Sequence, residues 1–158
     1  IFGNTGGVME AALRTAAYVV TSKNPEPNAF DSLHTAEITK EKPWRDSIIS
    51  LPIGDVSVAV VNGLGNARKL CEALLRKEVK YDFVEVMACP SGCVGGGGQP
   101  INCEDIEMAG TRSKILHNLD SNMPIRYSHE NQDVKELYND LLQAPLSHKS
   151  EELLHVNH

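Results

Sequence analysis

Two cysteines four residues apart, Cys89 and Cys93, carry the clearest chemistry in this chain. They sit in the run Glu85-Val86-Met87-Ala88-Cys89-Pro90-Ser91-Gly92-Cys93-Val94-Gly95-Gly96-Gly97-Gly98-Gln99-Pro100. Thiolates are soft ligands that select iron–sulfur clusters, zinc or copper, and they also exchange electrons as disulfides. Four consecutive glycines suit no regular structure, but they let a backbone come close to something large. Their exposed N–H groups can hydrogen-bond sulfide and thiolate sulfur and so tune a cluster's potential. An iron–sulfur site is therefore the favoured reading. Zinc remains an alternative, although structural zinc sites use a second Cys or His pair and no histidine lies close by. A redox disulfide between Cys89 and Cys93 also stays open, although nothing in the chain signals the exporting context that would favour it.

A four-iron cubane needs four protein ligands. The chain has four cysteines, Cys71, Cys89, Cys93 and Cys103. Cys71 falls on the apolar face of an expected helix and reads as core filling. Cys103, in Asn102-Cys103-Glu104, reads as the start of another helix. Two convincing ligands are left, so the others are expected from polypeptide outside this chain.

The elements around the loop follow from periodicity. Thr5–Val20 reads as a helix with two apolar stripes, one through Val8, Ala12 and Val19 and one through Met9, Leu13 and Ala17, which predicts a helix buried almost all round. Its charges, Glu10 and Arg14, are spaced i,i+4 and are expected to satisfy each other, the alternative being that they fix a neighbouring segment. Residues 21–47, broken by Pro25, Pro27 and Pro43, read as an irregular surface excursion, and no chemistry attaches to His34 there. Asp55–Val61 is a β-branched run typical of a buried strand. A turn at Asn62–Asn66, a helix over Ala67–Glu78 and a strand at Tyr81–Met87 follow, and strand–helix–strand predicts parallel pairing. This puts the cysteines at the carboxyl edge of a sheet, the usual binding edge of open α/β folds. Gly63-Leu64-Gly65 stands where a dinucleotide fingerprint would, but Arg68 occupies the third small position, so a structural turn is favoured. Helices are expected near Glu104–Asn118 and Gln132–Leu142. The predicted fold is α/β, a partly parallel sheet flanked by helices, with one domain over residues 1–146 and a tail over 147–158. In that tail, a solvated terminus is favoured over metal binding by His148, His155 and His158.

The 158 residues carry a net charge of −6, which argues against nucleic acid, since phosphate binding requires concentrated Lys and Arg. Ala11–Val20, the longest apolar stretch, is interrupted by Arg14 and falls short of the roughly 20 residues a bilayer needs. A cytoplasmic location is expected, with a periplasmic one left open. The chain begins Ile1-Phe2 without a methionine, so further sequence upstream is expected.

The segment Met87–Pro100 resembles the third signature of the iron–iron (FeFe) hydrogenases. Phe2-Gly3-Asn4-Thr5-Gly6-Gly7-Val8-Met9-Glu10-Ala11-Ala12-Leu13-Arg14-Thr15 resembles a second segment of that family. Val58–Ala67 and the stretches Ser128–Asn131, Pro145–His148 and Leu153–His155 resemble its C-terminal end. The resemblance implies one lobe of the catalytic domain and the reversible interconversion of dihydrogen with two protons and two electrons. The implied cofactor is the H-cluster, a four-iron four-sulfur cubane bridged to a diiron subcluster. By the resemblance, Cys89 would be a terminal cubane ligand and Cys93 the bridge. Met87 would line the diiron pocket, Phe2 and Gly3 would form another wall, and Gly96 and Gly97 would belong to the cofactor-binding loop. The family's first two signatures, Thr-Ser-Cys-Cys-Pro and Met-Pro-Cys, do not occur here, which implies that this chain cannot turn over alone. The implied partners are the N-terminal part of the same domain, ferredoxin or another electron carrier, and hydrogenase maturation factors. The opposing reading is a non-catalytic, hydrogenase-like iron–sulfur assembly protein, or a sensory one.

Overall fold

A computed structural model describes residues 1–26, 29–36, 38–101 and 108–156. Three strands form one sheet in the order β1 (Arg45–Leu51), β2 (Gly54–Asn62), β3 (Phe83–Met87). β1 and β2 are an antiparallel hairpin turning at Pro52-Ile53, with Arg45 opposite Val60 and Leu51 opposite Gly54. β2 and β3 are parallel, with Val58 opposite Phe83 and Asn62 opposite Met87, as the strand–helix–strand pattern predicts. The mixed, partly parallel sheet with flanking helices is the expected α/β class.

The central strand explains the layering. Side chains alternate along a strand, so the run Val58-Ala59-Val60-Val61 serves two faces at once. Val58 and Val60 pack with Met9, Leu13 and Ala17 of α1 (Gly7–Thr21), and with Phe30, Leu33 and Ile49. Ala59 and Val61 pack with Trp44 and with Leu70 and Ala73 of α3 (Leu64–Leu75). Gly63, at φ +79°, makes the turn between β2 and α3, and its N–H donates to the Met87 carbonyl at 2.7 Å. Gly63 thus has a structural job at the sheet edge.

Several expectations are corrected. Residues 21–47 are not merely a surface excursion, because Phe30, Leu33 and Trp44 are buried, β1 starts at Arg45, and a single turn of helix, α2 (Ser32–Thr35), lies in between. Their large side chains supply core that the low aromatic content hides from composition. Helix α1 is not buried all round. The stripe through Met9, Leu13 and Ala17 is covered by the sheet, while Val8 is 45% and Val19 73% exposed. Cys71 is exposed and does not fill the core, because Leu70 and Ala73 take the inward positions of α3. The expected helix near Glu104–Asn118 is α4 (Ala109–Asn122); its expected start, with Cys103, lies outside the described residues, as does His158.

Residues 1–122 form one compact unit and 123–158 a second. In the second, Asn131 caps α5 (Gln132–Leu137) by accepting from the backbone N–H groups of Asp133 and Val134, and a π-helical turn over Tyr138–Leu142 continues it. Ser147 accepts from the Ser150 N–H and starts α6 (His148–Leu154), so the stretch read as a tail is helical over most of its length.

Candidate functional site

β3 ends at Met87, and the chain then folds into a tight thiol-bearing loop at the carboxyl edge of the parallel pair. The loop is closed by its own backbone. Gly92 N–H donates to the Cys89 carbonyl, Gly95 N–H to that of Gly92, and Gly96 N–H to that of Cys93, each at 3.1 Å. A 3-10 turn over Cys93–Gly95 results. Gly92, at φ +86°, could carry no side chain: a Cβ there would lie 2.7 Å from the Gly3 carbonyl oxygen and 3.0 Å from Met87 Sδ. At Gly95 a Cβ would lie 2.2 Å from the Pro90 carbonyl oxygen. These two glycines are required by close backbone approach.

The segment before α1 braces the loop from below. Thr5 N–H donates to the Ser91 carbonyl at 3.3 Å, and Val94 N–H to the Gly3 carbonyl at 3.2 Å. Val94 is buried and plugs the gap. From α4, Arg112 donates to the Val94 carbonyl at 3.1 Å and to the Pro100 carbonyl at 2.9 Å. The Gln99 side-chain amide donates to the Cys93 carbonyl at 3.0 Å.

Above this floor the two thiols are free and exposed. Gly96 lies against Cys89, since a Cβ there would be 3.3 Å from its Sγ. Gly3 lies against Cys93, a Cβ there reaching 3.9 Å from that residue's Cβ. Cys89, Cys93, Met87, Gly3 and Gly96 are therefore gathered around one loop. Phe2 is 57% exposed, and a side chain at Gly97 would meet nothing within 4 Å. Those two residues belong to the open side of the structure.

Sequence reading missed the anchor beneath the loop. Glu85, on the buried face of β3, accepts from Gly6 N–H at 2.6 Å and from Met9 N–H at 2.7 Å. A carboxylate on the first N–H groups of a helix satisfies orphan donors and opposes the helix dipole. Glu85 thus holds α1 against the strand that delivers the cysteines. The available signal was an acid placed between Val84 and Val86, inside a strand expected to be buried.

The Glu10–Arg14 pair is also more than self-satisfied. Arg14 donates to Asp120 at 3.1 and 2.8 Å, and His34 Nε2 lies 2.6 Å from Glu10 Oε2. The pair ties α1 to α4 and to α2. Burial is the largest influence on Glu10 and pushes its carboxyl up, but the His34 hydrogen bond and the Arg14 charge together hold it below the usual carboxylate range. Burial likewise opposes the Arg14 charge, yet Asp120 and Glu10 raise its pKa above the ordinary value. His117, close to His34, is pushed below the usual imidazole range, chiefly by burial.

The fold is an α/β domain that presents two accessible thiols on an edge-placed loop held from behind, a donor pair of the type that suits a metal ion or cluster. The model of the family described as iron only hydrogenase large subunit, C-terminal domain, matches residues 1–97, and that of the iron hydrogenase small subunit matches residues 106–158. The chain belongs to the iron-only hydrogenase family. It is 41% identical over its whole length to the NADP-reducing hydrogenase subunit HndD of Solidesulfovibrio fructosivorans, of which it covers 26%. A solved variant of FeFe-hydrogenase HydA1 from Chlamydomonas reinhardtii superposes with a TM-score of 0.76 at 37% identity, covering 97% of this chain and 44% of that one. The cytosolic Fe-S cluster assembly factor narfl of Xenopus tropicalis is 29% identical across 99% of this chain, which covers 31% of it. The chain thus spans about a quarter of the length of the curated hydrogenase it matches. Among the described residues, no helix is long and apolar enough to cross a membrane.

Proposed function

We propose that this chain forms the C-terminal part of an FeFe-hydrogenase catalytic domain and supplies Cys89 and Cys93 as two ligands of the H-cluster. The observation that carries the reading is the pairing of two exposed, unbridged thiols with Gly96, where a Cβ would lie 3.3 Å from Cys89 Sγ. A large inorganic group fits such a cradle better than a lone zinc ion, whose structural sites use a second Cys or His pair. When bound, the H-cluster supplies the iron centre at which protons and electrons are interconverted with dihydrogen.

The chain's own residues then hold, wall and exclude. Cys89 would hold the cubane as a ligand and Cys93 would serve as the bridging ligand. The Cys93 carbonyl, held by Gly96 N–H and the Gln99 amide, fixes the backbone from which that thiolate projects. Met87 gives an apolar, polarizable wall that keeps water from the diiron side. Gly3 and Phe2 form the second wall, and Gly96 and Gly97 leave the cluster room beside Cys89. The remaining ligands come from polypeptide outside this chain, so the isolated piece is inactive. Ferredoxin or another electron carrier and the hydrogenase maturation factors are the partners of the complete, cytoplasmic or periplasmic enzyme.

A second reading, a non-catalytic iron–sulfur assembly protein, is favoured by the similarity to narfl over almost the whole chain. Infrared spectroscopy of the complete, maturated protein separates the two. Bands of iron-bound carbon monoxide and cyanide are expected for the hydrogenase, and their absence supports the assembly reading. Cys93→Ala should abolish diiron retention, because a covalent bridge is lost; undiminished hydrogen turnover in that variant overturns the assignment.

A further inference from the structure

Behind the cysteine loop, on the far side of Ser91, lies a cluster that the hydrogenase reading does not use. Glu10 Oε2 and a ring nitrogen from each of His34 and His117 lie within 4.8 Å of one another. The carboxylate is buried and the two imidazoles are half-buried. The rings meet edge to face with centroids 4.6 Å apart, and no described residue hydrogen-bonds the ring of His117. Next to them is a cavity of about 130 Å³ lined by Asn4, Thr5, His34, Ser91, Ser113 and His117. Two of its lining residues, Asn4 and Thr5, are 98% and 94% buried, and their Oδ1 and Oγ1 atoms are fully enclosed without a hydrogen-bond partner among the described residues.

We propose that Glu10, His34 and His117 form a binding site for a divalent first-row transition ion of the zinc class, with water in the adjoining cavity completing its coordination.

Two imidazoles and one carboxylate are a donor set of borderline softness, suited to zinc and to iron(II). Three protein ligands plus water is the arrangement of zinc sites that keep a fourth position open. Unpartnered buried polar atoms are rare and call for an explanation. Here a water held by the ion would stand as a polar neighbour to Asn4 and Thr5 on the cavity wall. The cavity is large enough for such a water, whose share of liquid volume is about 30 Å³. His34 Nε2 and Glu10 Oε2 are 2.6 Å apart and share a hydrogen. An ion entering between them widens this to the roughly 3.3 Å that two tetrahedral ligands at about 2.0 Å require, and the shared hydrogen is released to solvent, so that Nε2 ligates as a bare nitrogen.

Charge is compatible. Glu10, Arg14 and Asp120 sum to −1, with Arg14 held between the two carboxylates. Arg45 also lines the cavity, the one Lys or Arg among the described residues on that wall, so the site favours an ion drawn by strong imidazole bonding over one held by charge alone. Arg14 holds Glu10 Oε1 and so orients the carboxylate, leaving Oε2 to face His34.

The test uses the full-length, cluster-free protein carrying Cys89→Ser and Cys93→Ser, so that neither loop thiol nor the hydrogenase reading contributes. Equilibrium dialysis against zinc should show one equivalent whose affinity falls at least tenfold on His117→Gln, and likewise on His34→Gln. Equal zinc uptake with both histidines replaced overturns the proposal. Should those variants unfold, X-ray absorption of the histidine-intact protein at one zinc equivalent decides. A shell of nitrogen and oxygen with imidazole scattering supports the site, and a sulfur shell sinks it.

Discussion

The two sides of the cysteine loop are built to opposite rules. On the buried side Gly92, Val94 and Glu85 are enclosed, and the carbonyls of Gly3, Ser91 and Val94 all accept hydrogen bonds. On the outer side Cys89 and Cys93 are free and exposed, and nothing lies within 4 Å of a side chain placed at Gly97 or Gly98. Helix α1 repeats the division, with Met9, Leu13 and Ala17 packed on the sheet and Val8 and Val19 open. The contrast teaches that rigidity is invested up to the thiols and stops there. A ligand set that must meet a large group from one direction needs a floor that does not yield and a face that nothing fills.

The largest effect should come from the floor's ionic tie. Arg14 is 3% exposed and sits between Glu10 and Asp120, so Arg14→Met leaves two buried carboxylates without their cation. A loss of about 3–5 kcal/mol is expected, read as a lower urea midpoint by the fluorescence of Trp44, this chain's single tryptophan. Next comes Glu85→Ala, which strips the acceptor from Gly6 and Met9 N–H. It should cost about 3 kcal/mol, with faster hydrogen exchange confined first to the start of α1. If exchange there is unaltered, the anchor is not what fixes the helix.

The comparison itself is sharpened by a pair of alanines two residues apart. Gly95→Ala places a methyl 2.2 Å from the Pro90 carbonyl and should cost about 1–3 kcal/mol while disturbing the thiol geometry. Gly97→Ala meets nothing and should stay within about 0.5 kcal/mol. Thermal unfolding of both variants checks this, and equal costs would break the distinction between floor and face.

The smallest effect is a pH dependence far from the loop. Trp44 Nε1–H donates to the Tyr81 hydroxyl at 2.9 Å, which in turn donates to Asp46 at 2.7 Å. Burial first, then Asp46, pushes the Tyr81 pKa up to about 12 from its ordinary 10, against a lowering by Trp44. The folded state keeps a proton that the unfolded chain gives up, so this contribution is intact below pH 10 and drains away between 10 and 12. A urea midpoint falling more steeply from pH 9 to 11 in the parent than in Tyr81→Phe is the expected result.

Much of this was legible in residue order. The β-branched run at 55–61 could only be a central strand, and strand–helix–strand forced β2 and β3 parallel, placing Cys89 and Cys93 at a carboxyl edge. The loop's glycines announced close backbone approach, although which of them are sterically obligatory, Gly92 and Gly95, depends on carbonyls that belong to other segments. β1 was hidden because Arg45-Asp46-Ser47 opens it with polar residues on a sheet edge. Cys71 was misread because a helical stripe tells which residues share a face, not which of two adjacent faces the sheet will cover.

Local chemistry, then, determined the thiol loop and the strands that present it, since spacing and side-chain type act over a few residues. Tertiary structure alone decided that Glu85 reaches the start of α1, 76 positions away at Met9, and that His34 and His117 meet at Glu10. Such contacts arise where distant segments are forced together by burial of the sheet's two faces, and no local pattern encodes the distance between them.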